Sequence, residues 1–392
     1  MALNLRFHVV FSKSRLNMHL VVAIPTYNRC NYLRKNIQFF DQQKLPENAQ
    51  ISLAISNSAS TDETEAFLRD FSSSRQDVSV FNRLTDWSGG NYGYLCEALP
   101  EDADWVWFMG DDDYLADPLA LQKICEILIE KNDDQEFKFV HACQARRSLE
   151  TGRIIHDSIM GLCNQFGYTE MFGWISSVIM RKQPFVNALK KVNQRAQAAR
   201  DECAWANSHS AFFQASYLLE EIIDSNGAFI DLPLVEPQDQ EMTEATRQRW
   251  QAENMGERYI YIIDDLNRLK SLGLPIQKLD PKFFRYHRYQ LWDRFINHQI
   301  NLLEDFGNGV RTGLVMSSME RFLDNWKRIQ SIPSFIKNPL DRKLLYSLIE
   351  TNIGLCTLYM ESGYDQSVKD VLSRQKELNS VAVYDFSILE AD

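Results

Sequence analysis

The chain lacks an apolar run that could cross a membrane, because a spanning helix needs about 20 consecutive apolar residues. It is also short of basic charge: 42 lysines and arginines stand against 53 aspartates and glutamates, for a net charge of −11. A general nucleic-acid binder needs a basic face, so this balance argues against a nucleic-acid partner. With 45% hydrophobic and 24% charged residues, the composition is typical of a soluble globular protein.

Cysteine spacing also excludes some classes of protein. The seven cysteines form no Cys-x-x-Cys pair, and the seven histidines lack the spacing of a metal site. An odd number of scattered cysteines fits reduced thiols, so we predict a cytoplasmic protein without a disulfide framework or a zinc site. Residues 1–18 have no uninterrupted hydrophobic core and are interpreted as an N-terminal extension rather than a signal peptide.

The most informative stretch runs from Asp104 to Leu115. Residues 105–109 are apolar and rich in aromatic side chains, which predicts a strand buried on both faces. Gly110 and three consecutive aspartates, Asp111–Asp113, follow it. Clustered carboxylates at a strand end suit a hard cation such as Mg²⁺ or Mn²⁺. The alternative is a solvated acidic turn that starts the next helix, although Asp117 and Pro118 already provide such a start.

Strand and helix patterns alternate through the first half of the chain. The predicted strands are residues 20–25, 51–55, 78–81, 105–109 and 137–142. Such alternation indicates an α/β fold with a doubly wound sheet, in which ligands bind at the carboxyl ends of the strands. Three loops, at 26–29, 57–62 and 111–113, would therefore line one crevice.

Two local features of these loops are open to more than one interpretation. Ser60 with Glu63 three residues later predicts a capping box at the start of the second helix. The glycine-rich residues 88–93 do not form a dinucleotide fingerprint. They indicate either a tight turn alone or a turn in which Asn91 contacts a ligand.

Four motifs in this order resemble family 2 glycosyltransferases, which have the GT-A fold, a Rossmann-like and mostly parallel sheet flanked by helices. The motifs are Ile24-Pro25-Thr26-Tyr27-Asn28-Arg29, Ser58-Ala59-Ser60-Thr61-Asp62-Glu63-Thr64, Gly90-Asn91 and Gly110-Asp111-Asp112-Asp113-Tyr114-Leu115. The resemblance covers residues 20–145 and continues weakly through 173–181, where it is similar to O-antigen sugar transferases of the abequosyltransferase type. It implies an inverting transfer from a nucleotide-diphosphate sugar to an acceptor hydroxyl.

The resemblance also implies roles for individual residues. The nucleotide-sugar contacts are carried by Pro25, Tyr27, Arg29, Asn57, Asp62, Asn91, Asp111 and Asp112. Asp111 and Asp113 would hold Mn²⁺ or Mg²⁺, and Asp112 with Asp113 is an equally fair pair. Asn57 stands where the family usually has a carboxylate that contacts the base. A carboxamide both donates and accepts hydrogen bonds, which weakens the case for a uridine nucleotide.

An inverting transfer also needs a general base, and three residues downstream of the aspartates are candidates. They are Asp201, Glu202 and His209. A carboxylate across from the metal could take the proton of the acceptor hydroxyl. The alternatives are a polar helix with paired charges for the two acids and a structural hydrogen bond for the histidine.

The domain prediction divides the chain after residue 250. Residues 19–250 form the glycosyltransferase domain, with a nucleotide-sugar half at 19–145 and an acceptor half at 146–250, and residues 251–392 form a helical domain. In the latter, residues 282–298 are basic and aromatic, which fits either core packing or peripheral contact with the inner face of a membrane that carries a lipid-linked acceptor. The helical domain could equally form a homo-oligomer.

The predicted activity is a glycosyltransferase that assembles a cell-surface polysaccharide or glycoconjugate. A catalytically silent protein that keeps the fold for sugar-nucleotide binding or complex assembly is the alternative.

Overall fold

A computed structural model describes residues 18–82, 91–145, 148, 151–201, 212–238, 262–275 and 370. The strands within these residues are β1 Met18–Thr26, β2 Ala49–Asn57, β3 Val78–Asn82, β4 Trp105–Phe108, β5 Asp113–Leu115, β6 Phe137–Gln144, β7 Ile154–Ser158, β8 Val178–Arg181 and β9 Asn226–Pro237. The helices are α1 Cys30–Asp41, α2 Thr64–Ser73, α3 Asn91–Ala98, α4 Ala120–Glu130, α5 Ile159–Phe166, α6 Tyr168–Phe172, α7 Lys182–Asp201, α8 Phe213–Ile222 and α9 Ile262–Ser271. A 3-10 turn at Ile175–Ser177 precedes β8.

All of these strands belong to one mixed sheet with the order β3-β2-β1-β4-β8-β6-β9-β5, and β7 pairs with β9. Strands β3, β2, β1 and β4 run parallel, as the α/β pattern predicts. β8 then lies antiparallel between β4 and β6. The predicted α/β class is therefore confirmed, while the sheet is more mixed beyond β4 than simple alternation of strands and helices indicates.

The central strand β4 is buried on both faces, as predicted. Trp105 and Trp107 pack into one hydrophobic cluster, and Val106 and Phe108 pack into the cluster on the opposite face. All four side chains are fully buried. The indole N–H of Trp107 donates to the backbone carbonyl of Ser176 at 2.8 Å, so its polar atom is satisfied inside the core. This strand therefore holds the aspartate loop that follows it on a rigid base.

The predicted capping box at Ser60 and Glu63 is wrong. Glu63 precedes α2 without a side-chain hydrogen bond to the helix. Asp62 Oδ1 instead accepts the backbone N–H of Thr64 at 3.0 Å. The Ser60 hydroxyl is engaged elsewhere, because it donates to Asn57 Oδ1 at 2.6 Å. Other hydrogen bonds within the same loop have thus replaced the pairing of Ser60 with Glu63.

Helix α9 packs on the same core as the sheet. Its residues Leu266 and Leu269 are buried in the cluster that contains α8. Arg268 donates to Glu220 Oε2 at 2.6 Å and lies over the ring of Tyr217. Residues 262–271, beyond the predicted boundary at residue 250, are thus in contact with the sheet domain. Residues 1–17, 251–261, 276–369 and 371–392 lie outside the described residues.

One packing prediction follows from the contact between α3 and α7. A Cβ atom added to Gly93 would lie 2.2 Å from the Cβ of Asn193, and real Cβ atoms do not approach so closely. Gly93→Ala is therefore expected to separate the two helices and to lower the free energy of unfolding by about 1–3 kcal/mol. Urea denaturation measures this loss. Glu97→Ala, at an exposed position of the same helix, is the control and should change stability little.

Candidate active site

The carboxyl ends of β1 and β4 bring a basic residue onto the aspartate loop. Arg29, between β1 and α1, donates from one guanidinium nitrogen to Asp111 Oδ1 at 3.1 Å and to Asp112 Oδ2 at 2.5 Å. The Thr26 hydroxyl donates to Asp111 Oδ2 at 2.7 Å. The two loops that the sequence places in one crevice are therefore in direct contact.

Asp113 is held from the other side of the loop. The hydroxyl of Ser176, in the turn before β8, donates to Asp113 Oδ2 and accepts the backbone N–H of Gly110 at 2.8 Å. The buried side chain of Asn36 donates to the carbonyls of Gly110, at 3.1 Å, and Asp113, at 2.5 Å. The backbone and carboxylate of this loop are thus fixed by two polar side chains that lie far away in sequence.

Burial places an electrostatic cost on these carboxylates. It raises the pKa of Asp113 to about 8, with the negative charge of Asp112 adding to the effect and the hydrogen bond from Ser176 opposing it. Burial also raises the pKa of Asp111 to about 6, although the nearby Arg29 guanidinium opposes the shift. Three adjacent carboxylates face one guanidinium, so the loop has an excess of negative charge.

This donor set fits a divalent cation. Mg²⁺ and Mn²⁺ bind through one or two carboxylates and complete their coordination with oxygens of water or phosphate. Asp111 and Asp113 are nine-tenths or more buried. Their pKa values are raised, and the positive charge of a bound cation would lower them again. Within the described parts of the chain, no three His, Cys, Asp or Glu side chains are arranged as a complete metal site, so the remaining ligands would come from elsewhere.

The loop after β2 is tied to the loop after β1 by reciprocal hydrogen bonds. Asn28 donates its backbone N–H to Ser60 Oγ at 2.9 Å, and Asn28 Oδ1 accepts the N–H of Thr61 at 2.6 Å. Asp62 Oδ2 accepts the N–H of Cys30 at the start of α1. Burial tends to raise the pKa of Asp62, but its hydrogen bonds from Thr64 and Cys30 lower the pKa below the usual range.

Backbone conformations at these two loops are unusual. Asn28 and Ala59 both have φ of +53°, a left-handed conformation that asparagine tolerates and that is costly for alanine. The cross-loop hydrogen bonds hold both residues there. The two loops therefore form one rigid unit beside the aspartates.

Asn57 and Asn82 form a side-chain pair next to this unit. They are register partners at the ends of β2 and β3. Asn57 Nδ2 donates to Asn82 Oδ1 at 3.0 Å, while Asn57 Oδ1 accepts from the hydroxyl and the backbone N–H of Ser60. Because a backbone N–H can only donate, the orientation of the Asn57 carboxamide is set by Ser60.

The other predicted site residues have different locations. Pro25 is buried within β1, and Tyr27 is half-buried in the loop that follows. Asn91 is the first residue of α3 and Asp201 the last residue of α7, and neither side chain is among the described ones. Glu202 and His209 lie outside the described residues, as does the basic and aromatic segment 282–298. No helix in the described part of the chain is long and apolar enough to cross a membrane.

Asn36 and Ser176 belong to this site, although no sequence pattern predicts them there. Asn36 has the pattern of an ordinary helix residue, and its 3% exposure is the structural sign that its amide serves the interior. Ser176 lies within residues 173–181, the segment that weakly resembles family 2 glycosyltransferases. Nothing in the sequence indicates that its hydroxyl contacts Asp113.

Ser176→Ala tests this support. Loss of the hydroxyl leaves the buried N–H of Gly110 without its acceptor and Asp113 without its donor, so the free energy of unfolding should fall by about 1–3 kcal/mol. Urea denaturation is the measurement. Ser177→Ala, a change of the same kind at the next buried residue of the turn, should cost less. Equal losses in both variants would contradict the assigned role of Ser176.

Part of the chain is similar to a known protein family. Residues 21–185 match "Glycosyl transferase family 2", which is less than half of the sequence. No curated protein sequence matches. Among solved structures, a fragment of TarS from S. aureus is 12% identical, with a TM-score of 0.42 over 93% of this chain and 91% of that chain.

A second similar structure is a mannosyltransferase from Pyrobaculum calidifontis in complex with GDP-Man and Mn²⁺. It is 10% identical, with a TM-score of 0.43 over 95% of this chain and 88% of that chain. These likenesses are too distant to carry an argument about ligands or mechanism. The family match, together with the parallel strands β3-β2-β1-β4 and their flanking helices, agrees with the expected GT-A fold. Residues 21–185, which hold both loops that meet at the aspartates, are thus similar to glycosyl transferase family 2.

Proposed function

We propose that the chain is an inverting, metal-dependent glycosyltransferase that moves a sugar from a nucleotide-diphosphate sugar to a hydroxyl acceptor. One observation carries the proposal: Thr26 and Arg29 contact Asp111 and Asp112 at the carboxyl ends of β1 and β4, inside the segment matched by family 2. Open α/β sheets bind ligands at this edge. Assembly of a cell-surface polysaccharide or glycoconjugate is the process we propose for it.

Electrostatics supports a diphosphate donor. A leaving nucleoside diphosphate gains negative charge as the glycosidic bond breaks, and Arg29 is the cation that the structure places beside the aspartates. Asp111 and Asp113 would hold Mn²⁺ or Mg²⁺, which supplies further positive charge to the diphosphate. Ser176 and Asn36 would keep Asp113 in position while the donor binds.

The acceptor needs a group that takes its proton. We propose that Asp201, Glu202 or His209 does so, since these residues lie in the predicted acceptor half of the domain, after β8. In an inverting transfer, the base lies on the face of the sugar opposite the leaving group. A glycan or a lipid-linked acceptor would enter from that side.

One observation favours the alternative of a catalytically silent binding protein. Arg29 already pairs with Asp111 and Asp112, so part of the negative charge of the aspartate loop is compensated inside the chain. A protein that keeps the fold without catalysis would keep such a pair. It would bind nucleotide sugars without turning them over.

A panel of nucleotide sugars incubated with Mn²⁺, Mg²⁺ or a chelator separates these functions. We expect cation-dependent release of a nucleoside diphosphate from one donor. Proton NMR of the product should show an anomeric configuration opposite to that of the donor sugar. Retention of configuration would contradict the inverting mechanism. Binding without release in the presence of diverse acceptors would favour the silent protein.

A further inference from the structure

The carboxamide pair Asn57–Asn82 presents a one-sided set of hydrogen-bonding groups. Both acceptor oxygens are engaged: Asn57 Oδ1 accepts from Ser60, and Asn82 Oδ1 accepts from Asn57. The amide nitrogen of Asn82 must therefore point away from Asn57. Asn57 is 1% exposed, whereas Asn82 is exposed. A ligand over the ends of β2 and β3 would meet N–H donors at Asn82.

The layout of the sheet places this pair where the base of a nucleotide would lie. β1 separates β4 from β2, and β3 lies beyond β2. With strands about 4.8 Å apart, the end of β2 is roughly 10 Å from the aspartate loop after β4. The charged groups Arg29 and Asp111 to Asp113 are at one end of this edge, and the uncharged carboxamides are at the other. A nucleoside diphosphate has the same division, because its charge is on the phosphates and its base is neutral.

We propose that Asn82, oriented by Asn57, contacts the donor's base through its amide N–H groups and thereby selects a cytosine nucleotide over a uracil nucleotide. This inference rests on the proposed function and names the class of its donor. Cytosine presents two neighbouring acceptors, N3 and O2, to such donors. Uracil has an N–H at position 3, which would face another N–H and stay unpaired. A desolvated polar group without a partner costs enough to lower affinity about tenfold or more.

Asn82→Asp tests the role of the amide nitrogen. The new carboxylate still accepts from Asn57, so the link between β2 and β3 is kept, but the outward N–H donors become an acceptor. An acceptor suits the uracil N–H and opposes the cytosine N3. The preference for cytosine should therefore disappear or reverse in this variant.

Calorimetric titration of the full chain with CDP, UDP and GDP, in the presence of Mn²⁺, measures the preference. Wild-type protein should bind CDP at least about tenfold more tightly than UDP. Asn82→Ala should lose this advantage without gaining affinity for UDP. Gln50→Glu is the control for charge, since it adds the same charge at an exposed position near the other end of β2 and should leave the ratio unchanged.

The possible failures are distinguishable. Tighter binding of UDP or GDP to wild-type protein would overturn the cytosine assignment and leave the transferase proposal standing. A CDP preference that persists in folded Asn82→Asp would overturn the role of Asn82. No binding of any nucleoside diphosphate to the folded wild type would count against the proposed function and this inference together. The wild-type comparison uses no variant, so it holds even if Asn82→Asp fails to fold.

Discussion

Replacing Asp113 with asparagine is expected to lower kcat by about 10²- to 10³-fold or more, a magnitude typical for loss of a key electrostatic group. The carboxamide has the shape of the carboxylate and keeps an oxygen for the Ser176 hydroxyl. It removes the negative charge that would hold the cation. Turnover of the best donor found in the panel, measured at saturating Mn²⁺, gives the effect.

The same substitution should not unfold the protein. Asp113 is buried and its pKa is raised to about 8, so a neutral carboxamide relieves a cost of burying charge above that pH. We therefore expect Asp113→Asn to lose activity with its thermal stability unchanged or increased. Asp117→Asn is the control. Asp117 precedes α4 and pairs with Lys123 of that helix, so this variant should keep its activity. An active Asp113→Asn variant would contradict the metal assignment.

Local sequence pattern predicted the parallel half of the sheet well. β1, β2, β3 and β4 are continuous apolar or alternating segments, and helices with a clear apolar face, α1 and α2, follow β1 and β2. Such segments are recognisable as strands from their own residues, before their pairing partners are known. The antiparallel β8 between β4 and β6 depends on pairing across the whole domain, which no short pattern reveals.

The site shows the same division between local and distant information. Asp111 to Asp113 and Arg29 were predicted because their motifs are compact in sequence. Asn36 and Ser176 contact the aspartate loop across separations of more than 60 residues, and a single buried amide or hydroxyl leaves no periodic pattern. The predicted capping box at Ser60 is wrong for a related reason, since this hydroxyl contacts Asn57 in its own loop and Asn28 in the loop after β1.

The stability of the protein without divalent cations is expected to fall as pH rises through the range in which Asp111 and Asp113 titrate. The folded-state pKa values, about 6 and about 8, exceed the value near 3.9 for an unfolded chain. Between those limits the folded state binds more protons than the unfolded state, so the free energy of unfolding decreases with pH. This contribution is fully present below about pH 4 and is lost by about pH 8.

Urea denaturation at pH 5, 7 and 9 in a chelator, for wild type and Asp113→Asn, isolates the effect from other titrating groups. As pH rises, the free energy of unfolding of the wild type should fall relative to that of Asp113→Asn, by up to several kcal/mol. Mn²⁺ or Mg²⁺ at pH 9 should restore wild-type stability and leave the variant nearly unchanged, because a bound cation neutralises the charge that burial opposes. If the two free energies of unfolding differed by the same amount at every pH, Asp113 would not retain its proton in the folded state.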